Sequence, residues 1–295
     1  MPKLSFTSPF PGRVAFRVQK PHARRMAGEA KGVSMSGSVD LVKKGRVAYL
    51  YLNNPEKKNA ISAEMWEELA AKAGEISTDE TVRATILRGH GMSAFAAGAD
   101  ISQFESRRSA NSRGSNYDDL TESAIAAVRA IPVPVIALIH GFCLGGAVSL
   151  AIACDLRFAS NDATFSVPAA KLGISYPTPA IGRLVAQIGV SNTKYLLFSA
   201  KRIGAQLARE IHLVDKVFKQ EELDEETDEF AATLIENAPL SLRAAKFIID
   251  QGILDKDQQD VEAINASARK CFESEDYKEG VRAFMDSRKP IFQGK

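Results

Sequence analysis

The chain has 295 residues, of which 45% are apolar and 25% are charged, as is usual for a soluble globular protein of one or two domains. The formal net charge of +2 is far from the strongly basic balance of nucleic-acid-binding proteins. The longest apolar stretch, residues 131–139, contains two prolines and is too short to span a membrane. We therefore expect neither a nucleic-acid partner nor a membrane partner.

The first 36 residues differ in composition from the rest of the chain. Residues 1–28 contain six lysines and arginines, no acidic residue and four prolines. The basic composition resembles that of a targeting segment, but the prolines prevent a long amphipathic helix. We expect residues 1–36 to be a disordered extension of a cytoplasmic protein, with an organellar transit peptide as the alternative.

The first elements predicted after this extension are a β-hairpin and a helix. Residues 39–42 and 47–52 alternate in polarity around a Lys-Lys-Gly-Arg turn, which is typical of a hairpin. Ser62 is a suitable N-cap for a helix that runs to about Ile76. The pattern then predicts a buried strand, a glycine-containing loop, a short helix and a polar loop, at residues 84–87, 89–98, from 100 onward and 106–116.

The middle of the chain alternates between apolar strands, glycine turns and helices. The predicted elements are a helix face at 125–131, a strand at 135–139, a turn at 141–146, a helix at 147–154 and strands at 156–159 and 164–167. This order indicates an α/β fold with a parallel sheet. Helices dominate from Thr178 onward, with one short strand at 213–218. The prediction is an α/β core at 37–237 and a helical C-terminal region at 238–295.

Two segments place glycines where a strand gives way to a helix. They are residues 95–101, Phe-Ala-Ala-Gly-Ala-Asp-Ile, and residues 140–147, His-Gly-Phe-Cys-Leu-Gly-Gly-Ala. A helix N-terminus has N–H groups without intrahelical partners, and glycine lets the backbone approach a ligand closely. Two facing segments of this kind could hold an oxygen between two donors, as an oxyanion hole does. Close packing is the alternative, and neither segment matches a nucleotide-phosphate loop.

Four blocks of the sequence resemble the enoyl-CoA hydratase/isomerase (crotonase) family in order and spacing. They are Pro55-Glu56-Lys57-Lys58-Asn59-Ala60-Ile61, Ala97-Gly98-Ala99-Asp100, His140-Gly141 through Gly145-Gly146, and residues 274–295. The resemblance implies the crotonase fold, an α/β spiral of β-β-α units followed by helices, with 238–295 as a trimerisation region. It also implies a trimer or hexamer and no metal or prosthetic group, because coenzyme A is part of the substrate.

The three cysteines fit that expectation. Cys143, Cys154 and Cys271 are scattered, odd in number and without C-x-x-C spacing. The sequence therefore predicts neither a disulfide framework nor a zinc site.

The resemblance also implies which residues hold an acyl-CoA substrate. Ala99 and Gly146 correspond to the two backbone oxyanion donors, and Lys57 or Lys58 to a basic residue that meets the CoA phosphates. A solvated surface charge is the alternative for each lysine. Phe284 and Lys289 fall where C-terminal residues, often from a neighbouring subunit, close over CoA. The other expected binding residues are Ala60, Ala97, Gly98, Asp100, Ile101, Leu144, Gly145, Pro168 and Ala169.

The two glutamates that hydratases of this family use are absent from the corresponding positions, which are Ser149 and Ala169. A third position, used by some isomerases, falls within residues 175–178, which also lack an acid. Hydration needs both a base and an acid, each contributing about 10²–10⁴-fold, and a serine hydroxyl is too weak a base unless it is activated. Ser149 and Tyr176 are the polar candidates near the acyl group, and His140 is expected to be structural.

Three functions are consistent with this pattern. The first is an acyl-CoA-processing enzyme of the family that polarises the thioester carbonyl and has relocated acid–base groups. The second is decarboxylation of a malonyl-type CoA thioester, which forms an enolate without removing a C–H proton. The third is a non-catalytic acyl-CoA binder.

Overall fold

The computed structural model describes residues 37–100 and 115–295. The predicted N-terminal extension, the binding residue Ile101 and the predicted loop up to residue 114 lie outside the described residues. Among the described residues, no helix is long and apolar enough to cross a bilayer.

Two β-sheets lie at the centre of the fold. Their strands are β1 (Ser38–Lys44), β2 (Val47–Asn53), β3 (Ala84–Gly89), β4 (Ala94–Ala96), β5 (Val135–Ile139), β6 (Phe142–Leu144), β7 (Leu156–Ser160), β8 (Thr164–Ser166), β9 (Ile203–Gly204) and β10 (Lys216–Phe218). The larger sheet has the order β1-β2-β3-β5-β7-β10 and the smaller one β4-β6-β8-β9. The hairpin β1-β2 and the pair β8-β9 are antiparallel, and all other neighbours in the two sheets are parallel.

Helical segments connect and follow the strands. They are α1 (Ala63–Thr78), α2 (Ser115–Arg129), α3 (Gly146–Ala151), α4 (Thr178–Ser199), α5 (Ala205–Glu210), α6 (Leu223–Glu236), α7 (Pro239–Gly252), α8 (Val261–Phe272) and α9 (Glu275–Met285), with a 3₁₀ turn at Pro168–Leu172. β3, β5 and β7 lie in the larger sheet, and each is followed by a strand of the smaller sheet and then by a helical segment. This repetition confirms the predicted spiral of β-β-α units and the helical C-terminal region.

The predicted hairpin and the first helix are confirmed. The Ser62 hydroxyl accepts a hydrogen bond from the Met65 N–H at 3.2 Å and caps α1. The apolar face of α1, which includes Leu69 and Ile76, is fully buried, and each such large side chain stabilises the fold by about 1.5–3 kcal/mol. α1 packs against α2 and the hairpin, and this packing brings α2 to one side of the pocket described below.

Several local predictions were wrong. The predicted glycine loop at 89–98 contains β4, and the predicted turn at 141–146 contains β6; these two short strands are held by their parallel pairing with each other. Residues 115–116, predicted as loop, already belong to α2. α3 is shorter than the predicted helix at 147–154, and the strand β9 was not predicted. The helical region after residue 238 consists of the three helices α7, α8 and α9, and non-helical residues separate them.

Candidate active site

Three segments meet where the parallel strands of the smaller sheet end. Residues 97–99 follow β4, residues 145–146 follow β6 and residues 167–169 follow β8. They line a pocket with about 790 Å³ of empty space, including the part open to solvent, which is usual for a small-molecule site. The predicted site residues that line it are Ala97, Gly98, Ala99, Gly145, Gly146, Ser149, Pro168, Ala169 and Tyr176.

The backbone of Ala99 is oriented by its pairing with Ile61. The Ile61 N–H donates to the Gly98 carbonyl at 2.8 Å, and the Asp100 N–H donates to the Ile61 carbonyl at 3.0 Å. In this parallel bridge the neighbours of Ala99 make both hydrogen bonds, so the Ala99 N–H itself is directed away from Ile61.

The Ala99 segment passes very close to the turn after β6. Gly98 has φ of +96°, and a Cβ atom there would lie 2.7 Å from the Leu144 carbonyl oxygen. Only glycine accommodates both this conformation and this approach. Ala99 follows Gly98 and Gly146 lies two residues after Leu144, so this close contact brings both to the lining of the same pocket.

Gly146 is the first residue of α3, so its N–H has no acceptor within the helix. The preceding Gly145 has φ of +55°, and its own N–H donates to the Ser166 carbonyl at 2.8 Å. Within the residues that the structure describes, neither the Gly146 N–H nor the Ala99 N–H donates to another protein group. Both donors are therefore available to a ligand.

Tyr176 contacts the turn between β6 and α3 at Gly145. Its hydroxyl donates a hydrogen bond to the Gly145 carbonyl oxygen at 3.0 Å. Burial raises the pKa of the Tyr176 phenol, and a hydrogen bond with Ser149 opposes that rise only in part. The phenol therefore stays protonated and serves as a donor at neutral pH.

Ser149, one helical turn after Gly146, belongs to a polar cluster with Arg183 and Glu122. Arg183 Nη1 and Nη2 donate to the two Glu122 carboxylate oxygens, both at 2.8 Å. Nη2 also donates to the Ser149 hydroxyl at 2.9 Å. The Glu122 and Arg183 side chains are 23% and 15% exposed, so this ion pair is partly shielded from water.

Glu122 lines the pocket together with Asp118, and sequence reasoning missed both. The positions at Ser149, Ala169 and 175–178 indeed carry no acid, but α2 brings two carboxylates to the pocket from a part of the chain that matched no motif. The available signal was their spacing, because residues four apart share a helix face. This spacing does not predict which cavity the helix face lines.

Some of the residues expected to bind coenzyme A are not among those that line the pocket, namely Lys57, Lys58, Ala60, Asp100 and Leu144. Lys57 Nζ lies 2.7 Å from the Asp100 carboxylate, so these two expected binding residues form an ion pair. Lys58 Nζ lies 4.3 Å from the centre of the Phe142 ring. Ala60 is buried and Leu144 is partly exposed beside the Gly98 backbone.

Phe284 and Lys289 do not line this pocket within the described chain. Phe284 is 84% exposed and lies at a separate cavity between the C-terminal helices. Lys289 Nζ lies 3.5 Å from Glu236. Their expected role over CoA would require a second copy of the chain.

His140 is buried beneath α6 rather than in the pocket wall. Its Nε2 lies 2.7 Å from a carboxylate oxygen of Asp224, which also contacts Arg88. The hydrogen bond with His140 lowers the pKa of Asp224 to about 2. This arrangement links the end of β5 to α6.

The repeated β-β-α units, with a pocket at the ends of the smaller sheet, define a protein of crotonase fold. The family model for enoyl-CoA hydratase/isomerase matches residues 42–295, and the chain belongs to this family.

Relatives with several different activities are similar to this chain. A short-chain-enoyl-CoA hydratase from Clostridium acetobutylicum is 36% identical over 85% of this chain and 96% of its own length. A methylmalonyl-CoA decarboxylase from Escherichia coli is 31% identical over 87% of this chain and 98% of its own length. Among solved structures, an enoyl-CoA hydratase/carnithine racemase from Magnetospirillum magneticum superposes with a TM-score of 0.84 at 34% identity, covering 89% of this chain and 97% of that one.

Proposed function

We propose that this chain is an enzyme that binds a coenzyme A thioester and polarises its carbonyl between the backbone N–H groups of Ala99 and Gly146. One observation carries the proposal: these two N–H groups lie in one pocket wall, and neither donates to a protein group within the described residues. Two such donors stabilise the negative charge that develops on the oxygen when an enolate forms. Family membership supports the thioester as the substrate class.

The same proposal assigns the remaining binding residues. Lys57 or Lys58 meets the CoA phosphates, and the path past Ala60, Ala97 and Leu144 holds the pantetheine arm. No metal or prosthetic group is needed, because the carbonyl is polarised by the backbone. Self-association as a trimer or hexamer would let Phe284 and Lys289 of one subunit close over CoA bound to its neighbour, which the high exposure of Phe284 supports.

A pair of substitutions at Gly146 tests the role of the second donor. Gly146→Pro removes the N–H, and losing one such donor costs about 10²–10³-fold in kcat. Gly146→Ala is the matched control, since it keeps the N–H and its Cβ would meet Trp66 at an ordinary 3.8 Å. Turnover should fall at least tenfold further in the proline variant than in the alanine variant, by the same scale. Equal kcat/KM in the two variants would refute the proposal.

Decarboxylation of a malonyl-type CoA thioester is the second candidate. It is favoured by Ser149 and Ala169, which line the pocket without an acid where hydratases of the family carry glutamates. The similarity to the Escherichia coli methylmalonyl-CoA decarboxylase also supports it. Carbon dioxide release from a panel of malonyl-type thioesters would establish this reaction, and no release from any member would exclude it.

The same panel should include enoyl- and hydroxyacyl-CoA substrates. Turnover of an enoyl substrate with no carbon dioxide release would favour the first candidate. Calorimetric binding of several acyl-CoAs without turnover of any would instead indicate a non-catalytic binder.

A further inference from the structure

We propose that the Glu122 carboxylate, brought in by α2 and held by Arg183, moves the proton at the carbon next to the thioester carbonyl. This inference rests on the proposed function, because it needs the carbonyl to lie between Ala99 and Gly146.

Glu122 lies at the pocket while the rest of its helix is anchored in the core. Ile125 and Val128, on the same helix, are completely buried. Glu122 itself lines the pocket and is partly shielded from water. A carboxylate in this setting can contact a ligand in the pocket while its helix keeps its position in the core.

Arg183 determines where the carboxylate points. Two parallel hydrogen bonds at 2.8 Å hold both oxygens of Glu122, which fixes the plane of the carboxylate as well as its distance. Each oxygen retains lone pairs that the arginine does not use. Arg183 is therefore a positioning residue, and Glu122 remains able to accept a proton.

The position of the Glu122 carboxylate relative to the thioester follows from its proximity to Ser149. The same Arg183 nitrogen contacts Glu122 at 2.8 Å and Ser149 at 2.9 Å, so the Glu122 oxygen and the Ser149 hydroxyl are neighbours. Ser149 lies three residues after Gly146 in the same short helix, and Gly146, Ser149 and Glu122 all line one pocket. A carbonyl oxygen bound at the Gly146 N–H would thus place its adjacent carbon in the cavity that Glu122 lines.

One carboxylate in this place completes a proton shift in a 3-enoyl-CoA thioester. Glu122 takes a proton from C2, and the C2–H electron pair forms the C1–C2 double bond as the carbonyl oxygen becomes negative at the two N–H donors. The protonated Glu122 then returns the proton to C4. The oxyanion reforms the carbonyl, and the double bond moves from C3–C4 to C2–C3. Nothing is oxidised, no water is added and Glu122 ends as it began.

The direct test is exchange of C2 protons with solvent. Wild-type enzyme is incubated in deuterium oxide with saturated acyl-CoAs of four, six and eight carbons, and the loss of the C2 proton signal is followed by NMR. We expect exchange in the wild type and a loss of about 10²–10⁴-fold in Glu122→Gln. The matched control is Asp119→Asn, which removes an exposed carboxylate from the same helix and should exchange at the wild-type rate.

Conservative variants separate catalysis from structure. Glu122→Asp keeps a carboxylate and should recover part of the exchange that Glu122→Gln loses, with KM nearly unchanged. Arg183→Lys keeps the charge but loses the paired hydrogen bonds, so kcat should fall more than KM rises. If Glu122→Asp is no better than Glu122→Gln while both bind acyl-CoA, the proposal is overturned.

A measurement on the unmodified protein avoids any folding defect. A 3-alkynoyl-CoA loses a C2 proton to the base and regains it at C4, which gives a 2,3-allenyl thioester. The carboxylate then adds to C3, the C2–C3 π electron pair moves to the carbonyl oxygen, and a proton from water at C2 restores the thioester. Peptide mass spectrometry should find the resulting ester on Glu122. An adduct on another residue, or binding with neither adduct nor exchange, overturns the assignment of Glu122 and leaves acyl-CoA binding intact. Failure of the wild type to bind any tested thioester overturns both proposals.

Discussion

The hydroxyl of Tyr176 donates to the carbonyl of Gly145 at 3.0 Å, and this carbonyl belongs to the same peptide unit as the Gly146 N–H. The peptide plane is rigid, so a hydrogen bond at its oxygen also fixes the direction of its N–H. The same bond withdraws electron density from the peptide and strengthens the donor. Tyr176 thereby acts on the proposed oxyanion donor without touching the substrate oxygen.

Tyr176→Phe is expected to lower kcat by about threefold to tenfold, the equivalent of one hydrogen bond. KM should change little, because the phenyl ring keeps its packing in the pocket wall. Steady-state kinetics with the preferred acyl-CoA measures both values. A pure increase in KM at unchanged kcat would instead mean that the hydroxyl only binds substrate.

Gly98→Ala should destabilise the protein by about 2–5 kcal/mol, because it adds both backbone strain and a steric clash. The added Cβ would lie 2.7 Å from the Leu144 carbonyl oxygen, at a φ of +96°. Denaturant unfolding of the variant and the wild type measures the difference in free energy.

The matched control for Gly98→Ala is Gly74→Ala in α1, where a Cβ would meet nothing within 4 Å. That substitution should stabilise the helix by about 0.5–1 kcal/mol. Equal effects of the two substitutions would contradict the close approach of the two glycine segments.

Asp224→Asn should destabilise the protein at neutral pH by about 1–2 kcal/mol, because it weakens the hydrogen bonds to His140 and Arg88. The partial exposure of Asp224 keeps this figure modest. The folded-state pKa of about 2 is below the usual value, so the stabilisation is present above about pH 4 and is lost as the pH falls toward 2.

Unfolding measured at several pH values tests the role of Asp224. The difference in unfolding free energy between the variant and the wild type should shrink from pH 5 to pH 2. A difference that is constant over this range would show that the charge of Asp224 contributes nothing.

Ser149→Glu combined with Ala169→Glu should give measurable hydration of crotonyl-CoA if the pocket retains the geometry of the family. Both positions line the pocket, and an acid–base pair contributes about 10²–10⁴-fold per group. Because Ser149 is buried, the larger side chain should lower the stability by about 1–3 kcal/mol through overpacking. The control replaces both residues with Gln, which is equal in size and cannot transfer protons; equal hydration by the two double variants would contradict the expectation.

Local patterns were sufficient for the elements that depend on neighbours in sequence. The hairpin follows from alternating polarity around a turn. α1 begins at Ala63 because the hydroxyl of the preceding residue, Ser62, accepts the Met65 N–H and caps the helix. The predictions that failed concern elements that form only by pairing with residues distant in the sequence. β4 has only three residues, too few for a pattern, and it exists through pairing with β6.

The sequence by itself determined the family, through four blocks in a fixed order and spacing, and it determined the two glycine turns. The β-β-α order came only with the family resemblance, because β4 and β6 have three residues each and show no strand pattern of their own. Only the tertiary structure decided that Asp118 and Glu122 reach the pocket and that Arg183 holds Glu122. Glu122 is 61 residues from Arg183 in the sequence, and the periodicity of neither helix predicts that the two side chains form a hydrogen bond. The physical reason is that a salt bridge of this kind forms only after α2 and α4 have been positioned by the packing of the core, which depends on the whole chain.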